Sequence, residues 1–417
     1  MALGYRGLAS ARRGTKVIQT LFWTVLLSKY VFWLIAPDNY FAVMMLWIGL
    51  LAGLSALQFL RNEFVVFPLS TLFVLMLLYS GWTLVCCFLP WSEGKATGIA
   101  YAVLPLLAWP FIPPRINFIP ALNAFALGVV LAASILILFI TLRMDLAVLS
   151  SRSEGLAQIG PNTISFICAL GLFCAWHLGA GTASGIASWL YFILVGLFST
   201  VVLLTFSKTI ILVCMVALIL PRVSFGSLKS VLLTMMLGVL SSIALLMVFL
   251  LVEDQVYDYL ESKNSLSNLS GRTLIWEEIL HSLTGWRFIL GAGYNASINV
   301  SQAAGFQVFG TEAFAQAHNA LIEAIVNTGL LGAVMLMSAV VLSFAVLCRR
   351  LNTYDEHESR LSVRLMFSIM TMFLARAITE GSFAQPGTVD TAIIFFLVGC
   401  ISVVKADREC RLSLRAV

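Results

Sequence analysis

Charge is what this sequence has least of: only 11% of its 417 residues are Asp, Glu, Lys or Arg, and there are 4 histidines. So little charge cannot cover the surface of a soluble domain of this length, and that class is excluded. Several chemistries are missing with it. No glycine-rich loop ends in lysine, so there is no phosphate cradle of the nucleotide-hydrolysing kind, and the GAG of Gly291 to Gly293 lacks the strand and helix that would make it a dinucleotide fingerprint. No Asp-x-Asp pair offers a metal-held sugar nucleotide a site, and no His/Cys cluster has zinc spacing. The 8 cysteines fall mostly inside apolar runs, and neither Cys86 with Cys87 nor Cys168 with Cys174 suggests zinc or a disulfide framework. No duplication relates the two halves, which weighs against a secondary transporter built from repeats.

What is present is apolar. Hydrophobic residues make up 60% of the chain and the mean hydropathy is +0.97. Runs of about 20 such residues recur, each long enough to cross the hydrocarbon core as a helix, with every backbone group satisfied within it. The expected fold is an all-α integral membrane protein of about twelve transmembrane helices: Val17 to Ala36, Phe41 to Leu60, Phe64 to Leu89, Gly98 to Ile112, Ile116 to Leu142, Asn162 to Leu178, Ile186 to Phe206, Thr209 to Leu220, Ser230 to Val252, Asn319 to Leu347, Leu361 to Thr379 and Val389 to Val404. Pro105 and Pro110 make the fourth the weakest span. Arg6, Arg12, Arg13 and Lys16 precede an apolar stretch too long for a signal-peptide core, so the first span is expected to stay as an anchor.

The basic residues orient the spans. Arg61, Arg115, Arg222, Lys229, Arg349, Arg350, Arg360, Arg364 and the residues at both termini collect on one side, which the positive-inside rule assigns to the cytoplasm. Lys95, Arg143, Arg152, Lys208, Lys263, Arg272 and Arg287 fall on the other. The expected organisation is one functional unit: an N-terminal bundle of nine spans over 1–252, one large periplasmic loop with short amphipathic helices over 253–318, and a C-terminal bundle of three spans with a cytoplasmic tail over 319–417.

Candidate site residues lie in and around that loop. Ile275, Trp276, Ile279, Leu280 and Leu283 recur at helical spacing behind Ser270, a plausible N-cap, which places Arg272 in the first turn of an amphipathic helix. A cation there opposes the helix dipole unless an anion joins it. Free N–H groups and a guanidinium fork make a diphosphate site, and pairing with a loop carboxylate is the plainer alternative. Lys208 stands in LLLTFSKTIIL with almost no loop around it, as a snorkelling side chain or a ligand contact. Arg376 and Glu380, spaced i to i+4, read first as an intramembrane ion pair and only second as part of a site. His318 opens the tenth span, and Asn319, Glu323 and Asn327 follow it with the spacing of one helix face, so a histidine that would elsewhere be a cap here has a polar stripe beside it. An outward basic site with a histidine, and no nucleotide supply on that side, calls for a substrate that carries its own energy through the bilayer, such as a lipid-linked diphosphate.

Three segments, SGRTxxW at Ser270 to Trp276, GAGYN at Gly291 to Asn295 and HNxxxExxxNTGLLG at His318 to Gly332, resemble the signature of the O-antigen ligase and polymerase superfamily. GPN at Gly160 to Asn162 and SKT at Ser207 to Thr209 support the resemblance. It implies a metal-independent glycosyltransferase with no cofactor, acting on glycans carried by undecaprenyl diphosphate. By motif, Arg272 and Lys208 hold the diphosphate, Lys208 standing where many members have arginine, and His318 is the base. Apart from the motif, the expected supporting residues are Asn319, Glu323, Arg376 and Glu380. The implied partners are the undecaprenyl-diphosphate-linked oligosaccharide or polysaccharide, an acceptor glycan or lipid A-core, and the membrane. A chain-length regulator would fit a polymerase, and no nucleic acid is expected. SGRTxxW leans towards a polymerase, while the single sizeable outer loop leans towards a ligase.

Overall fold

The computed structural model describes residues 2–29, 31–32, 40–61, 70–89, 92, 99, 103–113, 118–143, 161–182, 185–205, 207–219, 276, 279–293, 296, 319–351, 357–377 and 389–415. Among them there is no strand. The helices are α1 (Ala2–Leu27), α2 (Tyr40–Arg61), α3 (Thr71–Cys87), the short α4 (Leu104–Leu107), α5 (Ile119–Arg143), α6 (Pro161–Gly181), α7 (Ile186–Leu204), α8 (Lys208–Ile219), the short α9 (Trp286–Leu290), α10 (Ala320–Arg350), α11 (His357–Ala377) and α12 (Val389–Arg415). Among the described residues, five stretches are long and apolar enough to cross a membrane: Ala42–Leu60, Ile119–Leu142, Asn162–Gly181, Ile186–Leu204 and Ala320–Arg350. Thr15–Leu27, Thr71–Cys87, Ile210–Ile219 and Val389–Val403 are shorter apolar helices. The chain is an all-α, multi-pass membrane protein.

The fourth expected span departs from the rest. Over 103–112 the chain makes α4 and a 3-10 turn at Trp109–Phe111, each with proline in its opening positions. Pro105 and Pro110 each remove an N–H donor and collide with the preceding turn, so no single helix runs through them. Phe111 is carried inward instead, and stacks on Phe22 of α1 at 4.0 Å between ring centroids. The ninth expected span, Ser230 to Val252, lies outside the described residues.

Burial divides the helices sharply. In α12 the residues from Ala392 to Ile401 are within a few per cent of fully buried wherever they are apolar, whereas in α7 Ile186, Trp189, Leu190 and Ile193 are exposed. The latter are lipid-facing positions, because apolar side chains lose nothing to hydrocarbon. Close approach at the centre depends on small residues. A Cβ on Gly128 of α5 would lie 2.5 Å from the Trp23 Cβ and 2.8 Å from the Thr20 carbonyl oxygen of α1. α11 carries Glu358, Arg360, Arg364 and Arg376, yet it lies in the bundle against α6, α8 and α10, with Val363, Met366, Phe367, Met370 and Phe373 buried.

Candidate active site

α10 is capped by Asn319, whose backbone is extended and whose Oδ1 accepts hydrogen bonds from the N–H groups of Leu321 and Ile322 at 3.0 and 3.2 Å. Those are donors that the first turn of a helix leaves open. One turn further in, Glu323 is fully buried and its Oε2 accepts from Asn327 Nδ2 at 3.2 Å. Asn327 Oδ1 in turn accepts from the backbone N–H of Ala296 at 3.2 Å. The stripe predicted from spacing is therefore a connected network reaching from α10 into the segment after GAG.

α10 then breaks. Gly329 has φ 70° and ψ 178°, which separates a short arm, Ala320 to Thr328, from the long arm beyond. A break here withdraws the next turn's N–H groups from the carbonyls of the arm, and inside a membrane protein such carbonyls must find other donors. The Ala292 N–H donates to the Val326 carbonyl at 2.7 Å, and Trp82 Nε1 of α3 donates to the Thr328 carbonyl at 2.7 Å. Glycine is required on both sides of this contact. Gly291, at φ 92°, would place a Cβ 2.6 Å from the Asn327 carbonyl oxygen, and a Cβ on Gly329 would occupy the position of the Ile289 carbonyl. Cys86 adds an S–H donor to the Leu290 carbonyl at 3.3 Å.

The amphipathic segment docks on the same arm. Ile279, Leu283, Ala296, Ile322 and Val326 form a small apolar cluster with Trp276 packed against it. Residues 276 and 279–282 are helical as expected, but Leu280 is 40% exposed and so lies off the buried face to which the spacing assigned it. Ser270, Arg272 and Ile275 lie outside the described residues, as do His318 and Glu380.

Other candidates gather at this end of the bundle. Ser207 Oγ donates to Asn162 Oδ1 at 2.8 Å, joining the SKT and GPN motifs and setting the backbone of Lys208 at the first position of α8. The expected pairing of Arg376 with Glu380 involves a residue outside the described ones. Arg376 Nη1 contacts Asp390 Oδ2 of α12 at 3.0 Å, and its guanidinium lies over the Phe166 ring at 4.0 Å. An i to i+4 carboxylate is one way to neutralise a buried guanidinium, and a carboxylate opening the neighbouring helix does so while tying two helices together. Lys29, buried near the end of α1, interacts electrostatically with Asp390 and sits 6.0 Å from the Trp47 ring. Neither Lys29 nor Asp390 was anticipated. Their signal was present, since each is a lone charge in an apolar run, VLLSKYVFW and VDTAII.

A sequence profile of the O-antigen ligase family matches residues 192–337, from within α7 to within α10. Over that stretch, about a third of the chain, the sequence is similar to the O-antigen ligase family. The matched stretch includes Lys208, Arg272, His318, Asn319 and Glu323 and leaves Arg376 and Glu380 beyond its end, in keeping with the resemblance read from the motifs. The chain is also similar to the exopolysaccharide production protein ExoQ of Rhizobium meliloti (strain 1021), at 23% identity over 163 residues. That alignment spans 35% of this chain and 34% of the relative, about a third of each.

Proposed function

We propose that the protein is a glycosyltransferase of the bacterial inner membrane that polymerises surface polysaccharide, O-antigen or exopolysaccharide, from undecaprenyl-diphosphate-linked repeat units. Both termini are cytoplasmic and the 253–318 loop, with the active site, faces the periplasm. The observation that carries the reading is the docking of the GAG loop and the 276–283 segment on the short arm of α10. Chain connectivity holds Arg272 within about 14 Å of Trp276, and His318 adjoins the Asn319 cap, so both are tethered to one structure.

In this mechanism Arg272 and Lys208 hold the diphosphate of the donor. His318 accepts the proton of the acceptor hydroxyl as its oxygen attacks the anomeric carbon of the donor glycan. The bond from that carbon to the diphosphate oxygen breaks, and undecaprenyl diphosphate leaves with both electrons. Fixed cations in a poorly solvated site stabilise the charge that develops on it without reorganising. No metal is needed, because the two basic side chains supply that positive charge. Glu323 and Asn327 hold the arm that presents His318, and the Arg376–Asp390 pair fixes the ends of α11 and α12 beside it.

A second reading, transfer of the finished glycan from undecaprenyl diphosphate to lipid A-core, is favoured by the match to the O-antigen ligase family. The similarity to an exopolysaccharide production protein and the SGRTxxW segment favour polymerisation. Purified protein incubated with lipid-linked oligosaccharide, with and without lipid A-core, separates the two. Ladders of lengthened lipid-linked glycan without the core are the expected product. Product only when the core is present would make it a ligase, and movement of the lipid across vesicles with no new glycosidic bond would make it a transporter.

A further inference from the structure

The opposite end of the bundle holds a cavity that none of this chemistry uses. Asn162 marks the Ser207 end of α6, and His177 lies 15 residues further on, about 22 Å at the helical rise, most of the way across the hydrocarbon core. The connection from Arg350 to His357 is short, so the start of α11 sits at this end too, away from Asn319. Between α6, α8 and α11 is a cavity of about 80 Å³, lined by Trp176, His177, Arg364 and Ser368 over apolar walls that include Phe173 and Leu365.

We propose that this cavity is a binding site for a phosphate-bearing anion, of the kind presented by the headgroup of an anionic phospholipid. Its volume is several times the roughly 10–15 Å³ that a single water needs, so it has room for a group larger than one water. Its polar lining comes from Trp176, His177, Arg364 and Ser368, and no carboxylate lines it among the described residues. Arg364 brings a guanidinium, which matches phosphate with paired N–H groups. His177 is 5% exposed, with Nε2 2.8 Å from Asn123 Oδ1. The Leu361 backbone approaches the ring, but no hydrogen bond reaches Nδ1 among the described residues. With Nε2 donating to Asn123, the neutral ring presents Nδ1 as an acceptor, which meets a protonated phosphate oxygen or a bridging water. Ser368 Oγ donates to the Ala217 carbonyl at 2.9 Å and keeps its lone pairs, so it accepts from a protonated phosphate or a bridging water. Trp176 is 41% exposed, in the manner of an interfacial anchor, and the apolar walls suit the glycerol and upper acyl carbons of a lipid. A basic pocket between transmembrane helices at a bilayer surface is the arrangement that takes anionic headgroups.

The test needs no transfer activity, so it fails or succeeds independently of the catalytic reading. The full chain is placed in nanodiscs of phosphatidylcholine alone or with phosphatidylglycerol, and separately in detergent with inorganic phosphate. Thermal unfolding and native mass spectrometry of retained lipid are recorded in each. Wild type is expected to unfold at higher temperature with phosphatidylglycerol and to retain it. Arg364→Gln should weaken retention by about tenfold, the loss of one charge-assisted hydrogen bond. His177→Phe, which keeps the ring volume, should reduce the shift, and Arg349→Gln, outside the cavity, should leave it intact. A shift of equal size from inorganic phosphate assigns the site to soluble phosphate instead of a headgroup. Equal stabilisation of wild type, Arg364→Gln and His177→Phe, or no stabilisation of wild type by either anion, overturns the proposal. If Arg364→Gln does not fold, His177→Phe decides alone.

Discussion

The two ends of the bundle treat their polar groups in opposite ways. At the Asn319 end a break in α10 opens backbone carbonyls, and the chain closes them itself with Ala292 and Trp82. At the Arg364 end α11 continues unbroken, and the polar side chains line an open cavity. The difference teaches where each end gets its order. The first is held in place by the protein before any substrate arrives, as catalysis by fixed dipoles and charges requires. The second sets Arg364, His177 and Ser368 on the wall of a cavity, where the proposed anion would join the partners they already have.

Substitutions that break this contrast should differ in size. The largest effect on transfer is expected from His318→Ala, a loss of about 10²–10⁴-fold from removing a general base, with the unfolding temperature unchanged. Product formation from lipid-linked oligosaccharide measures it, and full activity would remove His318 as the base. Next comes Gly329→Val, which puts a branched side chain at φ 70° and onto the Ile289 carbonyl. A loss of more than about 3 kcal/mol is expected, seen as a large fall in unfolding temperature. Gly196→Ala in α7, where a Cβ meets nothing within 4 Å, should instead be neutral or stabilise by about 0.5–1 kcal/mol.

Asn327→Leu leaves Glu323 and the Ala296 N–H without the partner they share, at a cost of about 1–3 kcal/mol and with weakened transfer as the arm loosens. Trp82→Phe removes only the donor to the Thr328 carbonyl and should cost about 1–2 kcal/mol. The smallest effect sharpens the comparison from the other side. Arg364→Gln should leave transfer within about twofold of wild type in phosphatidylcholine, since it acts across the membrane from the reaction.

How much of this was legible beforehand depended on whether the signal was local. The amphipathic segment around Trp276 and Ile279 was, because the helical period is written in adjacent turns. The Asn319, Glu323 and Asn327 stripe was legible for the same reason. The break at Gly329 was not, since NTGLLG continues an apolar run and nothing nearby announces that Gly291 will press against it. The contact of Arg376 with Asp390, 14 positions away on the next helix, was not legible either, because an i to i+4 rule does not reach that far. Burial was illegible as well: α7 and α12 are both apolar, yet one faces outward and the other fills the centre. Lipid and protein interior are equally apolar, so hydropathy cannot rank them, and packing against small residues and paired charges decides instead.

The burial of α12 also bears on how the molecule is made. It follows every other described helix in the chain, yet its side chains from Ala392 to Ile401 occupy the middle of the finished bundle. The earlier helices must therefore leave the insertion machinery around a gap and close only when this segment arrives. Asp390, at its leading edge, brings its carboxylate to Arg376 and towards Lys29 only when this segment joins the helices that precede it.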